Sequence, residues 1–517
     1  MASRDDRRPS AHDLSAVVES GRGADPALPR WARAADLVSL ALVIVGITVS
    51  ASGGFRLRLG DWRFALTSFS RPFLLAVLVA GVRHLLVREQ PIYAHVLQQA
   101  RRWMKSVALR TAAAVFVGSR PAILGAGLLA VLMFGYAPNA PPWRYSDNEL
   151  FNLPLRWDAG WYLQIAESGY DYIPEAGADA QQNIVFFPAY PMVTRAVAML
   201  LGHHQPAFVA AGMIVSLTAF LFALAYLYAF ARDELGEERA PVALWLIAAY
   251  PFALFFGAIY TESLFMLAAL GAFHHFRRRE FVRAGWWGLA IGLTRPNGAL
   301  LSVPLMLLAL EPWLPQALSA GRAALSSRAG YSDAPASRSE ARAVRSSDRL
   351  VDAAPACAAA SMSAVGVLLY SAYIWRLTGH PFAWASGHAA WGRHYRSLTQ
   401  LFETRAGEIS HAGLYAYVAR SPYDLLNVLG AVFVLAAVWP VWRRFGIAFA
   451  VFILINILPP LSTGGFLSAG RLSSVLFPAF VWLAGAIPPR QRTAWIVSFA
   501  MLQALNAALF YTWRPLF

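Results

Sequence analysis

The chain has 517 residues, of which 57% are hydrophobic and only 14% are charged, and its mean hydropathy is +0.46. These values exclude an ordinary soluble enzyme and indicate an integral membrane protein. The net charge of +15 is carried mostly by arginine in short loops between apolar runs, which in a membrane protein reports topology rather than nucleic-acid binding. The single cysteine, Cys357, excludes an internal disulfide and a thiolate metal cluster.

The N-terminal part is predicted to be a tail followed by two spans. Residues 1–33 mix both signs of charge with Gly and Pro and lack a cleavage-site pattern, which indicates a disordered cytoplasmic tail rather than a signal peptide. Residues 34–118 hold two apolar runs and a cytoplasmic connector. Between these runs, segments 55–58 and 62–64 predict a small amphipathic ribbon on the outer side.

Apolar runs that could cross ~30 Å of hydrocarbon recur along most of the chain. They predict an all-α polytopic membrane protein with about 13 transmembrane helices, its N-terminus inside and its C-terminus outside. The predicted spans are 35–53, 71–88, 119–137, 207–231, 241–258, 261–277, 283–298, 299–312, 354–377, 424–441, 446–461, 470–487 and 493–513.

One apolar run, 184–202, is predicted to lie in the interface instead of spanning. If it spanned, the basic clusters at 277–283, 322–349 and 443–444 would face outward, against the preference of arginine for the cytoplasmic side. As an interfacial helix it places all of them inside. The outward segments are then 138–206 and 378–423, and the Ser-, Ala- and Arg-rich loop 313–352 is a flexible cytoplasmic connection.

The first outward segment contains Asp158, the strongest candidate for a catalytic carboxylate. Residues 159–168 are predicted to form a short helix that ends at Gly169. A functional Asp158 would be a general base, with Trp157, Trp161 and Tyr162 offering flat apolar faces to sugar rings. Alternatively, Asp158 is only the N-cap of this helix and the two Trp form an interfacial belt.

A second carboxylate, Glu262, lies at an outward turn that opens a span. Thr261 is a ready N-cap, and Glu262 in the first turn is favoured by the helix dipole. A carboxylate at the outer rim of a bundle is costly, so acceptor binding is the functional alternative.

Four basic residues are candidates for binding an anion. Arg295 lies at a helix break beside Pro296, and Arg471 at the outer start of a later span is its natural partner, since an arginine fork suits phosphate oxygens. His388 and Arg393 in the second outward loop are weaker candidates for the same anion. No zinc pattern, P-loop, dinucleotide fingerprint or nucleophile elbow is present. A divalent metal stays open, with Asp171 and Glu175 as residues that could assist in binding it, but no spacing demands one.

Taken together, these motifs resemble the GPI mannosyltransferase II (PIG-V-like) family, within the GT-C class of membrane glycosyltransferases. Order and spacing agree from about 119 to 487. The matching pieces are Arg156-Trp157-Asp158, Trp161-Tyr162, Ile165-Ala166, Gly169-Tyr170, Phe186-Phe187-Pro188-Ala189-Tyr190-Pro191, Tyr260-Thr261-Glu262-Ser263-Leu264-Phe265, Leu293-Thr294-Arg295-Pro296-Asn297-Gly298 and Arg471 after Ser468.

The resemblance implies a GT-C glycosyltransferase fold over 119–513, with interfacial helices in the first large extracytoplasmic loop. It implies Asp158 as the base and Arg295 and Arg471 as ligands of the phosphate of a polyprenyl-phosphate donor. Arg393 and His388 remain the weaker candidates for the same phosphate. Arg156, Trp157, Trp161, Tyr162 and Glu262 are then expected to bind sugar or acceptor.

The expected activity is inverting transfer of a sugar, mannose first among them, onto a lipid, glycan or protein acceptor. The Ala- and Arg-rich composition points to a bacterial plasma membrane, with the active site on the extracytoplasmic side. Two other functions stay open: a transporter or flippase of lipid-linked sugars, and a non-catalytic assembly subunit in which Asp158 is only a cap.

Overall fold

The computed structural model of the protein describes residues 29–311 and 353–516, apart from 53–54, 60–61, 67, 69, 88–100, 102, 139, 142–143, 175–176, 178–179 and 203. It divides into two units, residues 1–104 and 105–517. Most of the predicted tail and all of the predicted loop 313–352 lie outside the described residues.

The elements described in residues 29–87 of the first unit are two helices and a β-hairpin. The helices are α1 (Arg30–Ser52) and α2 (Ser70–Leu86), and the hairpin pairs β1 (Phe55–Leu59) with β2 (Trp62–Leu66) in antiparallel register, Phe55 opposite Leu66. The predicted ribbon is present as this antiparallel pair, and it is the one departure from an all-α fold among the described residues. Arg83 of α2 binds Asp36 of α1 through a buried ion pair at 2.9 Å, which holds the two helices together.

The second unit is built from α-helices joined by short 3₁₀ segments. The helices are α3 (Val107–Phe134), α4 (Glu149–Asn152), α5 (Ala159–Ser168), α6 (Ala189–Leu201), α7 (Gln205–Leu235), α8 (Ala240–Ala249), α9 (Glu262–Arg277), α10 (Phe281–Gly292), α11 (Ser302–Leu310), α12 (Ala353–Thr378), α13 (Ala383–Ser386), α14 (Leu398–Ala412), α15 (Leu414–Arg420), α16 (Pro422–Phe445), α17 (Ile447–Gly464), α18 (Ala469–Ser473), α19 (Phe477–Ala486) and α20 (Arg492–Tyr511). The 3₁₀ segments are Asn183–Val185, Ala253–Gly257, Pro296–Leu301, Gly387–Trp391 and Pro489–Gln491.

Five helices in the described part of the chain are long and apolar enough to cross a bilayer. They are Val107–Phe134, Gln205–Leu235, Ala354–Thr378, Pro422–Phe445 and Pro489–Tyr511. Several predicted spans correspond instead to shorter helices, so the predicted number of 13 is not confirmed. The predicted interfacial run 184–202 contains α6, whose 13 residues reach only about 20 Å and do not suffice for a straight span.

Helix α3 begins 12 residues before the predicted span 119–137 and holds an arginine in its interior. Arg120 is buried, and its guanidinium donates to the carbonyl oxygens of Ala248 at 2.6 Å and Ala253 at 2.7 Å. These carbonyls lie at the end of α8 and in the 3₁₀ segment that follows, where helix hydrogen bonds are missing. The arginine therefore stabilises a broken helix inside the bundle.

Helices α10 and α12 touch through their backbones. A methyl group at Gly292 would overlap the carbonyl oxygen of Ser363, and one at Gly366 would lie 2.6 Å from the carbonyl oxygen of Leu289. This contact fixes the end of α10, and Arg295 follows three residues later in an extended conformation. The predicted break beside Pro296 is thus confirmed.

We expect Gly292→Ala to lower the free energy of unfolding by about 1–3 kcal/mol, because the new methyl group must push two helix backbones apart. Thermal unfolding in detergent, followed by circular dichroism, measures the change. Gly125→Ala is the matched control: its methyl group would enter open space in α3, so stability should be unchanged or slightly higher. Equal loss in both variants would contradict the close contact.

Candidate functional site

Asp158 stands at the N-terminus of the predicted short helix, which is present as α5 with the expected bounds. The carboxylate makes no capping hydrogen bond to this helix. Its Oδ2 instead accepts a hydrogen bond of 2.9 Å from Nη1 of Arg471, and its side chain remains 23% exposed. The alternative that Asp158 is only an N-cap is therefore wrong.

The backbone before Asp158 is held in an unusual conformation. Trp157 has a φ of +53°, a left-handed conformation that is costly for a bulky residue. Its indole Nε1 donates to the carbonyl oxygen of Phe510 at 3.3 Å, and its ring contacts Trp513 at 5.2 Å between centroids. The backbone N–H of Asp158 donates to the hydroxyl of Tyr260 at 3.0 Å. These contacts fix the direction in which the Asp158 side chain leaves the chain.

Glu262 is fully buried at the first position of α9. Its Oε1 forms ion pairs with both Arg295 and Arg471, while Thr261 accepts a hydrogen bond of 2.5 Å from Nε of Arg295 instead of capping α9. The helix-dipole explanation of Glu262 is therefore insufficient, because a buried carboxylate between two guanidinium groups is stabilised mainly by these pairs. Full burial also leaves Glu262 no surface to offer a sugar, which argues against the predicted acceptor role.

Arg471 connects the two carboxylates. It lies on the short helix α18, and its guanidinium packs over the ring of Tyr260 at 4.4 Å. The neighbouring Gly470 is required by close packing, since a methyl group there would enter the ring of Phe252, and its N–H donates to Asn427 at 2.9 Å. The chain before Arg471 is thereby anchored on two sides.

The second outward loop adds a third arginine to this site. Arg393 donates to the hydroxyl of Ser468 at 3.2 Å. Burial, followed by the nearby charge of Arg471, lowers the pKa of Arg393, which still leaves the guanidinium protonated at neutral pH. Arg295 pairs with Glu262, and Arg471 pairs with both Glu262 and Asp158. Arg393 lies near enough for the charges of Arg471 and Asp158 to act on it, so this part of the structure holds three positive charges and two negative ones.

His388 lies in the same loop but is poorly suited to bind an anion. Burial lowers its pKa, so the imidazole is neutral at neutral pH. Its Nδ1 lies 2.8 Å from the carbonyl oxygen of Trp384, which can only accept, so Nδ1 carries the proton. Nε2 is then an acceptor, and it cannot donate to a phosphate without a further proton.

The predicted sugar-binding aromatic residues separate into two groups. Trp161 is half-buried, stacked on Phe186 at 5.8 Å and in edge contact with Trp391 at 5.8 Å. Tyr162 is buried among Tyr190 and other rings, and burial raises its pKa to about 12. Trp161 keeps an accessible surface, whereas Tyr162 belongs to the core.

Arg156, predicted to bind sugar or acceptor, is a structural residue. It is only 1% exposed. Its guanidinium donates to the carbonyl oxygens of Asn152 at 2.6 Å and Tyr511 at 2.8 Å and to the hydroxyl of Tyr136 at 2.9 Å. This set of bonds ties the Asp158 loop to the end of α20.

Sequence reasoning missed two residues of the site. Tyr260 was noted only as part of a motif, yet it contacts both Asp158 and Arg471. Trp391 received no role, although it lies between His388 and Arg393 and packs on Trp161. Its position between two predicted site residues was the available signal. No group of three or more metal-ligating residues occurs in the part of the chain that the structure describes.

Comparison with known proteins finds a family model described as mannosyltransferase (PIG-V), which matches residues 142–312. This match confirms the predicted resemblance and supports a membrane glycosyltransferase. The matched range contains Asp158, Glu262 and Arg295, and ends before Arg393 and Arg471. A search of curated proteins found no match.

Two solved structures of the Archaeoglobus fulgidus oligosaccharyltransferase are similar at low level. The complex of AglB with an inhibitory peptide and a dolichol-phosphate has 13% identity and a TM-score of 0.35, covering 76% of this chain and 55% of that one. The complex with Zn and sulfate has 13% identity and a TM-score of 0.35, covering 75% and 53%. The chain thus spans about half the length of these structures.

We expect Glu262→Gln to lower the free energy of unfolding by about 3–5 kcal/mol, because it leaves two arginines without their buried counter-charge. Denaturant unfolding in detergent, monitored by tryptophan fluorescence, measures the loss. Glu167→Gln, on the exposed end of α5, is the matched control and should change stability little. A stable Glu262→Gln protein would show that the pairs contribute little.

Proposed function

We propose that this chain, with its match to a mannosyltransferase family, is an inverting glycosyltransferase. It would move a sugar, with mannose the first candidate, from a polyprenyl-phosphate donor to an extracytoplasmic lipid, glycan or protein acceptor. The observation that carries the proposal is the partly exposed carboxylate of Asp158 beside three arginines. A base and an anion-binding cluster at one place are what phosphate-linked sugar transfer requires.

The proposed reaction has one displacement step. The acceptor hydroxyl attacks the anomeric carbon while its proton passes to Asp158, and the bond from that carbon to the phosphate oxygen breaks. The electron pair leaves with the lipid phosphate, whose growing negative charge is stabilised by guanidinium groups. One displacement inverts the anomeric configuration.

The three arginines would contribute differently to binding of the donor phosphate. Arg295 is paired with Glu262 and Thr261, so it is rigid and supplies a fixed positive potential. Arg393 donates to the hydroxyl of Ser468 through Nη2, and its guanidinium has further N–H groups that could bind phosphate. Glu262 is a positioning residue: it contacts no substrate and holds two guanidinium groups at a defined separation.

Sugar binding would use the aromatic surface beside Asp158. Trp161 is one turn from Asp158 on α5, and Trp391 reaches it from the second loop. Flat apolar rings of this kind pack against the C–H faces of a pyranose, while the hydroxyl edges remain free for polar groups. The two loops would therefore close on the sugar together.

The proposed base predicts that Asp158→Asn loses transfer while keeping its fold. Asn has the same shape but cannot accept the proton, so we expect the rate to fall by at least about 100-fold. Transfer from labelled polyprenyl-phosphate mannose to total membrane lipid measures it. Asp171→Asn, an exposed carboxylate of the same loop, should stay active. Equal transfer by Asp158→Asn would remove Asp158 from the mechanism, and no transfer by either protein from any such donor would favour a flippase.

The two second-loop candidates are predicted to behave differently. Arg393→Gln should weaken binding of a polyprenyl-phosphate sugar by about tenfold, because it removes a charged hydrogen-bond donor. His388→Gln should change the affinity less than about twofold at pH 7.5, since neutral imidazole presents an acceptor there. Titration of each purified variant with donor in detergent gives both values. A large effect at His388 alone would reverse the assignment.

A further inference from the structure

Asp158, the residue proposed as the base, is bound to an arginine in this structure. Asp158 is joined to Nη1 of Arg471 at 2.9 Å. That hydrogen bond occupies Oδ2 of Asp158, so this oxygen cannot accept a proton from a sugar hydroxyl while the pair is intact. A base that must collect a proton from a sugar hydroxyl would work better with that guanidinium edge engaged elsewhere.

Arg471 presents two edges in different surroundings. Its Nε edge pairs with Glu262, which is fully buried, whereas its Nη1 edge pairs with Asp158, which is 23% exposed. The plane of the guanidinium also rests on the ring of Tyr260. Breaking the first pair would strand a buried charge, but breaking the second would expose Asp158 to solvent or substrate. Only the Asp158 pair is therefore readily exchanged.

A lipid phosphate is the natural competitor for the exchangeable edge. The phosphodiester of a lipid-linked sugar carries one negative charge shared by two non-bridging oxygens, so it can accept from Nη1 as a carboxylate does, and its charge grows as the sugar leaves. Arg393, near enough for the Arg471 charge to influence it, would attract the same group. A phosphate placed between these arginines would lie beside Nη1 of Arg471.

We propose that Arg471 exchanges partners during the reaction, holding Asp158 in the free protein and the donor phosphate once the lipid-linked sugar has bound. This inference rests on the proposed function. Glu262 would keep the guanidinium in place while its outer edge changes partner. Asp158 would then become a competent base only when a donor is present, so donor would bind before acceptor.

A double-mutant cycle on binding tests the exchange without relying on activity. The probe is farnesyl phosphate, a short polyprenyl monophosphate, titrated into purified protein in detergent. Asp158→Asn should bind it about fivefold more tightly than wild type, since Arg471 no longer has to leave a carboxylate. In an Arg471→Gln background, Asp158→Asn should change the affinity less than about twofold. In an Arg393→Gln background the tightening should persist.

Each other outcome has a defined meaning. Equal tightening in the Arg471→Gln background would show that Asp158 acts only through its general charge, which overturns the exchange. No tightening in the wild-type background would overturn it as well. Asp171→Asn controls for nonspecific charge effects and should leave the affinity unchanged. If Arg471→Gln does not fold, Arg471→Lys replaces it: a lysine cannot span both carboxylates, so the tightening should shrink.

The same measurements distinguish a failure of the proposed function from a failure of the partner exchange. If farnesyl phosphate does not bind wild-type protein, both the donor class and the exchange are wrong. If it binds without coupling between Asp158 and Arg471, while labelled sugar is still transferred, only the exchange is wrong. If coupling is found but no polyprenyl-phosphate sugar supports transfer, the exchange holds for a protein that binds lipid phosphate without catalysis.

Discussion

The buried carboxylate of Glu262 is the constraint on which the site depends. A charge with no exposure must be paired, and here it is paired with Arg295 and Arg471. The three residues come from the start of α9, the chain after α10 and the short helix α18. Satisfying one buried charge therefore fixes three separate parts of the bundle relative to one another.

The chain makes room for these charges by interrupting its helices. Arg295 lies in an extended stretch between α10 and a 3₁₀ segment, and Arg471 lies on a five-residue helix after Ser468, whose φ is +64°. Glycines permit the necessary approach, because Gly470 abuts Phe252 where no larger residue has space. Interruption exposes backbone polar groups, and at the break after α8 the buried guanidinium of Arg120 satisfies such carbonyls directly.

The local features of this site could be predicted from the sequence, and its long-range pairs could not. The helix after Asp158 and the break at Pro296 follow from residue periodicity and proline chemistry within a few positions. The bond from Asp158 to Arg471 joins residues 313 positions apart, and no local pattern specifies it. The sequence did not reveal that Arg156 is buried. An arginine next to a catalytic candidate has the same sequence pattern whether its guanidinium binds a substrate or backbone carbonyl oxygens.

Asp158 and Glu262 both pair with Arg471, but they differ in burial and therefore in what each carboxylate can contact. Glu262 has no solvent-accessible surface, so its side chain offers nothing for a sugar to contact. Asp158 is partly exposed at a loop whose direction is set by the strained Trp157 and by Tyr260. Exposure allows exchange of partners, and rigidity on the Glu262 side keeps that exchange local. In the proposed exchange, a guanidinium held at one edge by Glu262 would pass between a carboxylate and a phosphate without moving the helices around it.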